Sequence, residues 1–199
     1  MRSDLLALKL GRGSAKVAQI LGQSGVQYRP VDGMSALTAP YASPMLAFDV
    51  DPSFSGVKPA GWGAVARYVL SDRLSDTRVG DVLVCGGQNF FVAAVGMNAP
   101  ALCIACDQIV SVSAVSGGSG MVVSGCPAAI ILRSKGESVQ SGVPGAAHPG
   151  QFILYLPHLP GVMLHPYMTV MSDNGATYMI NSAEKSAWGL RCILSLQQV

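Results

Sequence analysis

The sequence predicts a mainly β protein: an antiparallel β-barrel or sandwich built from two similar three-stranded meanders, preceded by an N-terminal helix and an extended arm. Three observations carry this prediction. From Trp62 onward, short apolar segments alternate with turn residues, the pattern of an antiparallel sheet. Two of the hairpins repeat one order and spacing of residues. Ahead of them, Leu5, Leu6, Leu8 and Leu10 open a run that Val17, Ala18, Ile20 and Leu21 continue at helical spacing.

Taken in order, the helical segment covers residues 1–25, with Gly11 and Gly13 as points where it can break in two, Ser14 as a cap for the second piece, and Gly22 to Gly25 as its end. Residues 26–61 are rich in Pro, Gly, Ser and Thr with only short apolar patches, and read as an extended arm or long loop. The β-domain occupies residues 62–199. Its strands are expected near Ala64 to Ser71, Val82 to Cys85, Asn89 to Val95, Ala101 to Val115, Ala128 to Arg133, Gln151 to Leu156, Tyr167 to Ser172, Ala176 to Asn181 and Leu190 to Leu196. Gly86-Gly87 and Asn174-Gly175 suit tight hairpins because they tolerate positive φ.

The repeat lies in two hairpins. Gly80 to Cys85, Gly86-Gly87 and Phe90-Phe91-Val92-Ala93-Ala94 give a strand, a glycine turn and an aromatic-led strand; Tyr167 to Ser172, Asn174-Gly175 and Tyr178-Met179-Ile180-Asn181-Ser182 give the same series. A third strand follows each, at Leu102 to Val112 and Leu190 to Leu196. Regions 64–115 and 151–199 therefore form a candidate internal duplication whose two meanders would pair into one barrel or sandwich.

Composition narrows the function. Half of the 199 residues are hydrophobic and 12% are charged, against roughly a quarter charged in an average soluble domain. Such a chain either covers apolar surface with a partner or presents a neutral surface of Gly, Pro, Ala and Ser. A net charge of +2 and the lack of any basic run give no footprint for sequence-specific nucleic-acid binding. Apolar runs stay well short of the roughly 18 residues that span a bilayer, and no convincing signal peptide opens the chain, so no membrane partner is expected.

Cys85, Cys103, Cys106, Cys126 and Cys192 are odd in number and set among apolar residues, as expected of reduced, buried thiols. Cys103-Ile104-Ala105-Cys106 has redox or zinc spacing, but lies in a β-branched strand where an offset of three sends the side chains to opposite faces. His148, His158 and His165 stand apart, leaving a zinc ion without further ligands. Gly117-Gly118-Ser119-Gly120 lacks the lysine and helix of a phosphate loop, no serine sits in a GxSxG turn, and the acidic residues are scattered. His165 with Asp173 or Glu184 is the one imaginable general base, and a histidine before proline is more often structural. No catalytic, cofactor-binding or metal-binding residue is assigned, no cofactor is expected, and the protein is read as not an enzyme.

Certain segments carry a resemblance. Gln27-Tyr28-Arg29-Pro30, Gly80 to Val84 with Phe90 to Ala94, Cys103 to Asp107 with Val110-Ser111-Val112, Leu156 to Val162, Asp173 to Glu184 and Trp188-Gly189-Leu190-Arg191 together resemble a family of tailed-bacteriophage virion proteins. The resemblance implies a homo-oligomeric ring at the head-tail junction, a connector or neck protein assembled in the bacterial host cytoplasm and carried in the virion. Its implied partners are copies of itself and neighbouring portal, tail or capsid proteins. In that arrangement the helix and the arm would clamp a neighbour, and loops 116–121 and 135–149 would face the adjoining ring. Connectors carry many channel-facing charges and this chain has few, so tail-tube, tail-wall and capsid-decorating roles stay open. An envelope hydrolase, marked by a cleft with an essential acid or histidine, and a small-ligand β-barrel, marked by one large apolar pocket, are the competing classes.

Overall fold

The computed structural model of the chain describes residues 2–55, 61, 63–72, 76–96, 99–114, 120–132 and 151–197. One helix, α1 (Arg2–Leu21), precedes thirteen strands: β1 (Gln23–Tyr28), β2 (Pro40–Ala42), β3 (Met45–Asp49), β4 (Ala66–Ser71), β5 (Val82–Cys85), β6 (Gln88–Ala94), β7 (Ala101–Cys106), β8 (Gln108–Ser113), β9 (Met121–Leu132), β10 (Gln151–Leu156), β11 (Thr169–Ser172), β12 (Thr177–Ser186) and β13 (Gly189–Leu196). Every pairing is antiparallel, and the mainly β, antiparallel-barrel class and the N-terminal helix hold.

The strands close into two barrels. In the first, β1-β3-β4-β7-β6-β5 returns to β1, with β2 paired to the far end of β1. In the second, β8-β9-β10-β13-β12-β11 returns to β8. These are one topology used twice: β1 answers to β8, β2 with β3 to β9, β4 to β10, and the meander β5-β6-β7 to β11-β12-β13. Even the bulges agree. Register shifts between Val92 and Ala94 on β6, and between Ile180 and Ser182 on β12, two residues after the inward aromatic in each case. Those aromatics, Phe90 and Tyr178, are each 5% exposed.

Three expectations are corrected. The two meanders do not pair with each other; each closes its own barrel with three further elements. The arm supplies some of those elements: β1 begins within the expected helical segment, and β2 and β3 lie inside residues 26–61. The strand expected from Ala101 to Val115 is β7 and β8, parted at Asp107 where the chain leaves one barrel for the other. There the Asp107 N–H donates to Ala128 O, and Asp107 Oδ1 accepts the Ile130 N–H at 3.1 Å. Helix α1 is also unbroken at Gly11 and Gly13, so Ser14 caps nothing.

Each barrel is filled. The first packs Leu46, Val69, Leu83, Phe90, Val92, Ala101, Cys103 and Ala105, with Phe48 stacked on Phe90 at 3.9 Å. The second packs Val110, Val112, Cys126, Ile130, Leu154, Val170, Ile180 and Leu194. Leu159, Val162 and Leu164 of the β10–β11 loop and Ala36 of the β1–β2 loop join that second core.

Apolar residues also line outer faces, which explains the high hydrophobic content. Val82, Phe91, Ala93 and Cys106 point outward from the first barrel and are buried with Tyr155 of the second. Gly80, at φ +91°, belongs to this junction: a Cβ there would stand 2.5 Å from His158 O, so only glycine lets the barrels approach. On another outer face, Ala47 and Leu70 are covered by Ala18 and Val17 of α1, with Phe54 alongside. Gly22 ends the helix, donating to Ala18 O at 2.9 Å, where a Cβ would meet Leu46 O at 2.7 Å. At the hairpins, Gly86 and Gly87 both take positive φ; in the second turn only Gly175 does, while Asn174 Oδ1 accepts the Ala176 N–H.

Candidate functional site

The densest polar cluster joins β1, β5 and the loops between their neighbours. Asp81, 2% exposed, accepts Gln27 Nε2 at 2.7 Å, Arg29 Nε at 2.8 Å, Arg29 Nη2 at 2.9 Å and the Arg78 N–H at 2.8 Å. The guanidinium also donates to Asp76 O and lies over the Tyr41 ring, 3.8 Å from its centroid. Hydrogen bonding to Asp81 raises the pKa of Arg29, which stays charged. With both oxygens accepting from these donors, the carboxylate ties the loops to β1. Matching the barrels strand by strand shows what the cluster replaces: Gln27, Arg29 and Asp81 stand where the second barrel has Val112, Ala114 and Met168. No site residue was expected here from the sequence; Gly80-Asp81 opened the first hairpin of the repeat and, with Gln27-Tyr28-Arg29-Pro30, carried part of the resemblance.

Four of the five cysteines are buried, and Cys85 is half-buried. Cys103 points into the first barrel and Cys106 outward to the junction, as the offset of three requires. All five are free thiols, and burial raises the pKa of each, to about 12 for Cys126 and Cys192. Thiolates are the reactive form, so these groups are poor nucleophiles. Among the described residues, no three His, Cys, Asp or Glu side chains come close enough to hold a metal. His165 is exposed on the β10–β11 loop, and among the described residues it has no hydrogen bond to Asp173 or Glu184. His148, residues 116–119 and the loop 135–149 lie outside the described residues.

The outer wall of the second barrel carries a shallow, open hollow of about 420 Å³ lined by Ile153, Ser182, Ala183, Glu184, Arg191 and Ile193. Its floor is a cross-strand row, since Ile153 pairs with Ile131 on one side and Ile193 on the other. It lies on the barrel's outer surface, apart from the interior that the core cluster occupies.

One end of the second barrel presents Met163, Tyr167 and Trp188, each 62 to 67% exposed. Tyr167 has φ +69°, a left-handed conformation that is uncommon for an aromatic residue, and its N–H is tied to Ile180 O at 2.7 Å. Lys185 Nζ reaches Val162 O at 3.1 Å and holds the β10–β11 loop beside the β12–β13 hairpin that carries Trp188. Large aromatic and Met side chains are residue types that anchor protein interfaces. At the other end of the chain, Ile20 and Leu21 are each 69% exposed. No helix among the described residues is long and apolar enough to cross a membrane.

No protein-family model, curated protein or solved structure matches this chain.

Proposed function

We propose that the protein is a non-enzymatic structural component of a tailed-bacteriophage virion, an oligomeric ring protein at the head-tail interface that acts by packing against copies of itself and adjoining portal, tail or capsid proteins. The observation that supports the structural part of this reading is the exposure of Met163, Tyr167 and Trp188 on the β10–β11 loop and the β12–β13 hairpin, which the Lys185 Nζ–Val162 O bond ties together. Large exposed aromatic and Met side chains are enriched where a surface meets another macromolecule. The Asp81 cluster supports the same reading, because its charges are committed to holding loops. The virion part rests on the sequence resemblance, which runs through β1, β5 to β8 and the closing meander.

Mass spectrometry of purified phage particles, with the lysate of the producing host as reference, tests this. The proposal expects the chain in intact particles at many copies per particle, enriched over the lysate. A chain confined to the lysate would remove the virion role, whether connector, tail or capsid-decorating.

A further inference from the structure

We propose that the outer β3–β4 face of the first barrel, now under α1, is a docking face for the second barrel of another copy, with α1 as its displaceable cap. The repeated topology points to it. Inside the chain the two barrels meet through unlike faces: the outer β5-β6-β7 face of the first, with Val82, Phe91, Ala93 and Cys106, against the β9–β10 side of the second, with Tyr155. Strand registers make Ala129 and Tyr155 the counterparts of Ala47 and Leu70. Ala47 and Leu70 are the residues that α1 covers. The helix thus occupies, on the first barrel, the place that a whole barrel takes on the second.

Among the described residues, none is packed on the complementary face of the second barrel in a buried apolar cluster. Thr169, Met179, Asn181 and Gln197 stand where Val82, Phe91, Ala93 and Cys106 stand in the first. They are half-buried or exposed, and none is charged. Beside them Met171, 44% exposed, takes the place of Val84. A charge-free face carrying two methionines, in a position whose twin is already an interface, suits a reversible contact better than a permanent one. Among the described side chains of α1 only Ala18 is fully buried, while Ile20 and Leu21 beside it stay exposed. Because the two faces differ, one contact leaves an unused face on each copy, and repeating it builds closed rings or open filaments according to the rotation between copies. Helix and barrel exclude each other on Ala47 and Leu70, so release of α1 controls assembly.

The inference rests on the self-assembly part of the proposed function and is independent of the virion. Its test uses the full chain in solution. Ala18→Glu pries the helix off its face. At equal concentration the variant is expected to sediment as larger multiples of the 20.6 kDa chain than the wild type, and Met179→Lys in the same chain is expected to reverse the shift. A variant that sediments like the wild type, or that stays large with Met179→Lys, overturns the proposal. A second measurement reads the contact itself: a photo-crosslinking residue at half-buried position 179 in the Ala18→Glu chain, with circular dichroism checking that its barrels stay folded. The adducts should map to residues 45–49 or 66–71 of another copy; absent or differently placed adducts overturn the proposal. Absence of the chain from particles would count against the virion reading alone.

Discussion

Replacing Asp81 by Ala should cost the protein about 3 kcal/mol, toward the lower end of the ~3–5 kcal/mol typical when one partner of a buried ion pair is removed. The carboxylate accepts four N–H groups; its loss orphans the Arg78 N–H and leaves the buried Gln27 Nε2 and the Arg29 guanidinium only their bonds to Asp76 O. The lower end applies because the Arg29 side chain is 21% exposed and water takes up part of its charge. In a chain of this size, that loss lowers the unfolding midpoint by roughly 6–12 °C. The second barrel shows how the same positions are filled without charge. The triple variant Gln27→Val, Arg29→Ala, Asp81→Met, which copies Val112, Ala114 and Met168, should therefore recover more than half of the loss. Urea unfolding followed by circular dichroism reads both values. A single variant within about 1 kcal/mol of the wild type, below the cost of one orphaned buried group, would refute the clamp, and a triple variant as unstable as the single would refute the equivalence of the barrels.

Other outcomes follow from the same structure. Phe91→Ala, at a site 2% exposed between the barrels, should cost about 3–5 kcal/mol and loosen hydrogen-exchange protection in β6 and β9 together. Gly80→Ala should destabilise through both its φ of +91° and the approach to His158 O, whereas Gly87→Ala, with open space around it, should cost only its backbone strain; thermal melts of the pair separate the two effects. The thiols set an alkaline limit. Cys126 and Cys192 are raised from about 9 to about 12, so the unfolded chain loses these protons first; their contribution is whole below pH 9 and is lost as pH rises toward 12. Cys126→Ala should flatten that fall in a pH series of urea titrations. In native protein a thiol reagent should modify half-buried Cys85 before any of the other four.

The hairpins and the repeat were legible because they depend on local chemistry: glycine turns, an aromatic leading the second strand, and alternation within single strands. The second copy was read as completing the first because the completing strands were hidden. In β1, Gln-Ser-Gly-Val-Gln-Tyr places Gln27, fully buried, at an inward position. A polar core residue erases the two-residue period that would mark a strand. β2 and β3 are short pieces of one line broken at Ser43-Pro44, which reads as loop. Asp107 was passed over inside an apolar run because nothing local shows that its side chain takes the Ile130 N–H and turns the chain into a second barrel. The interaction surfaces were least legible of all. Trp188 and Phe91 are both large apolar residues, and only the tertiary arrangement leaves one exposed and buries the other.

Cryo-electron microscopy of intact particles, with the neck and tail resolved to side chains, tests the proposed virion role. The expected result is a ring of two-barrel subunits beside the portal, with Trp188 and Tyr167 buried against a neighbouring protein. Particles whose neck, tail and capsid densities are fully assigned without these two barrels would contradict it.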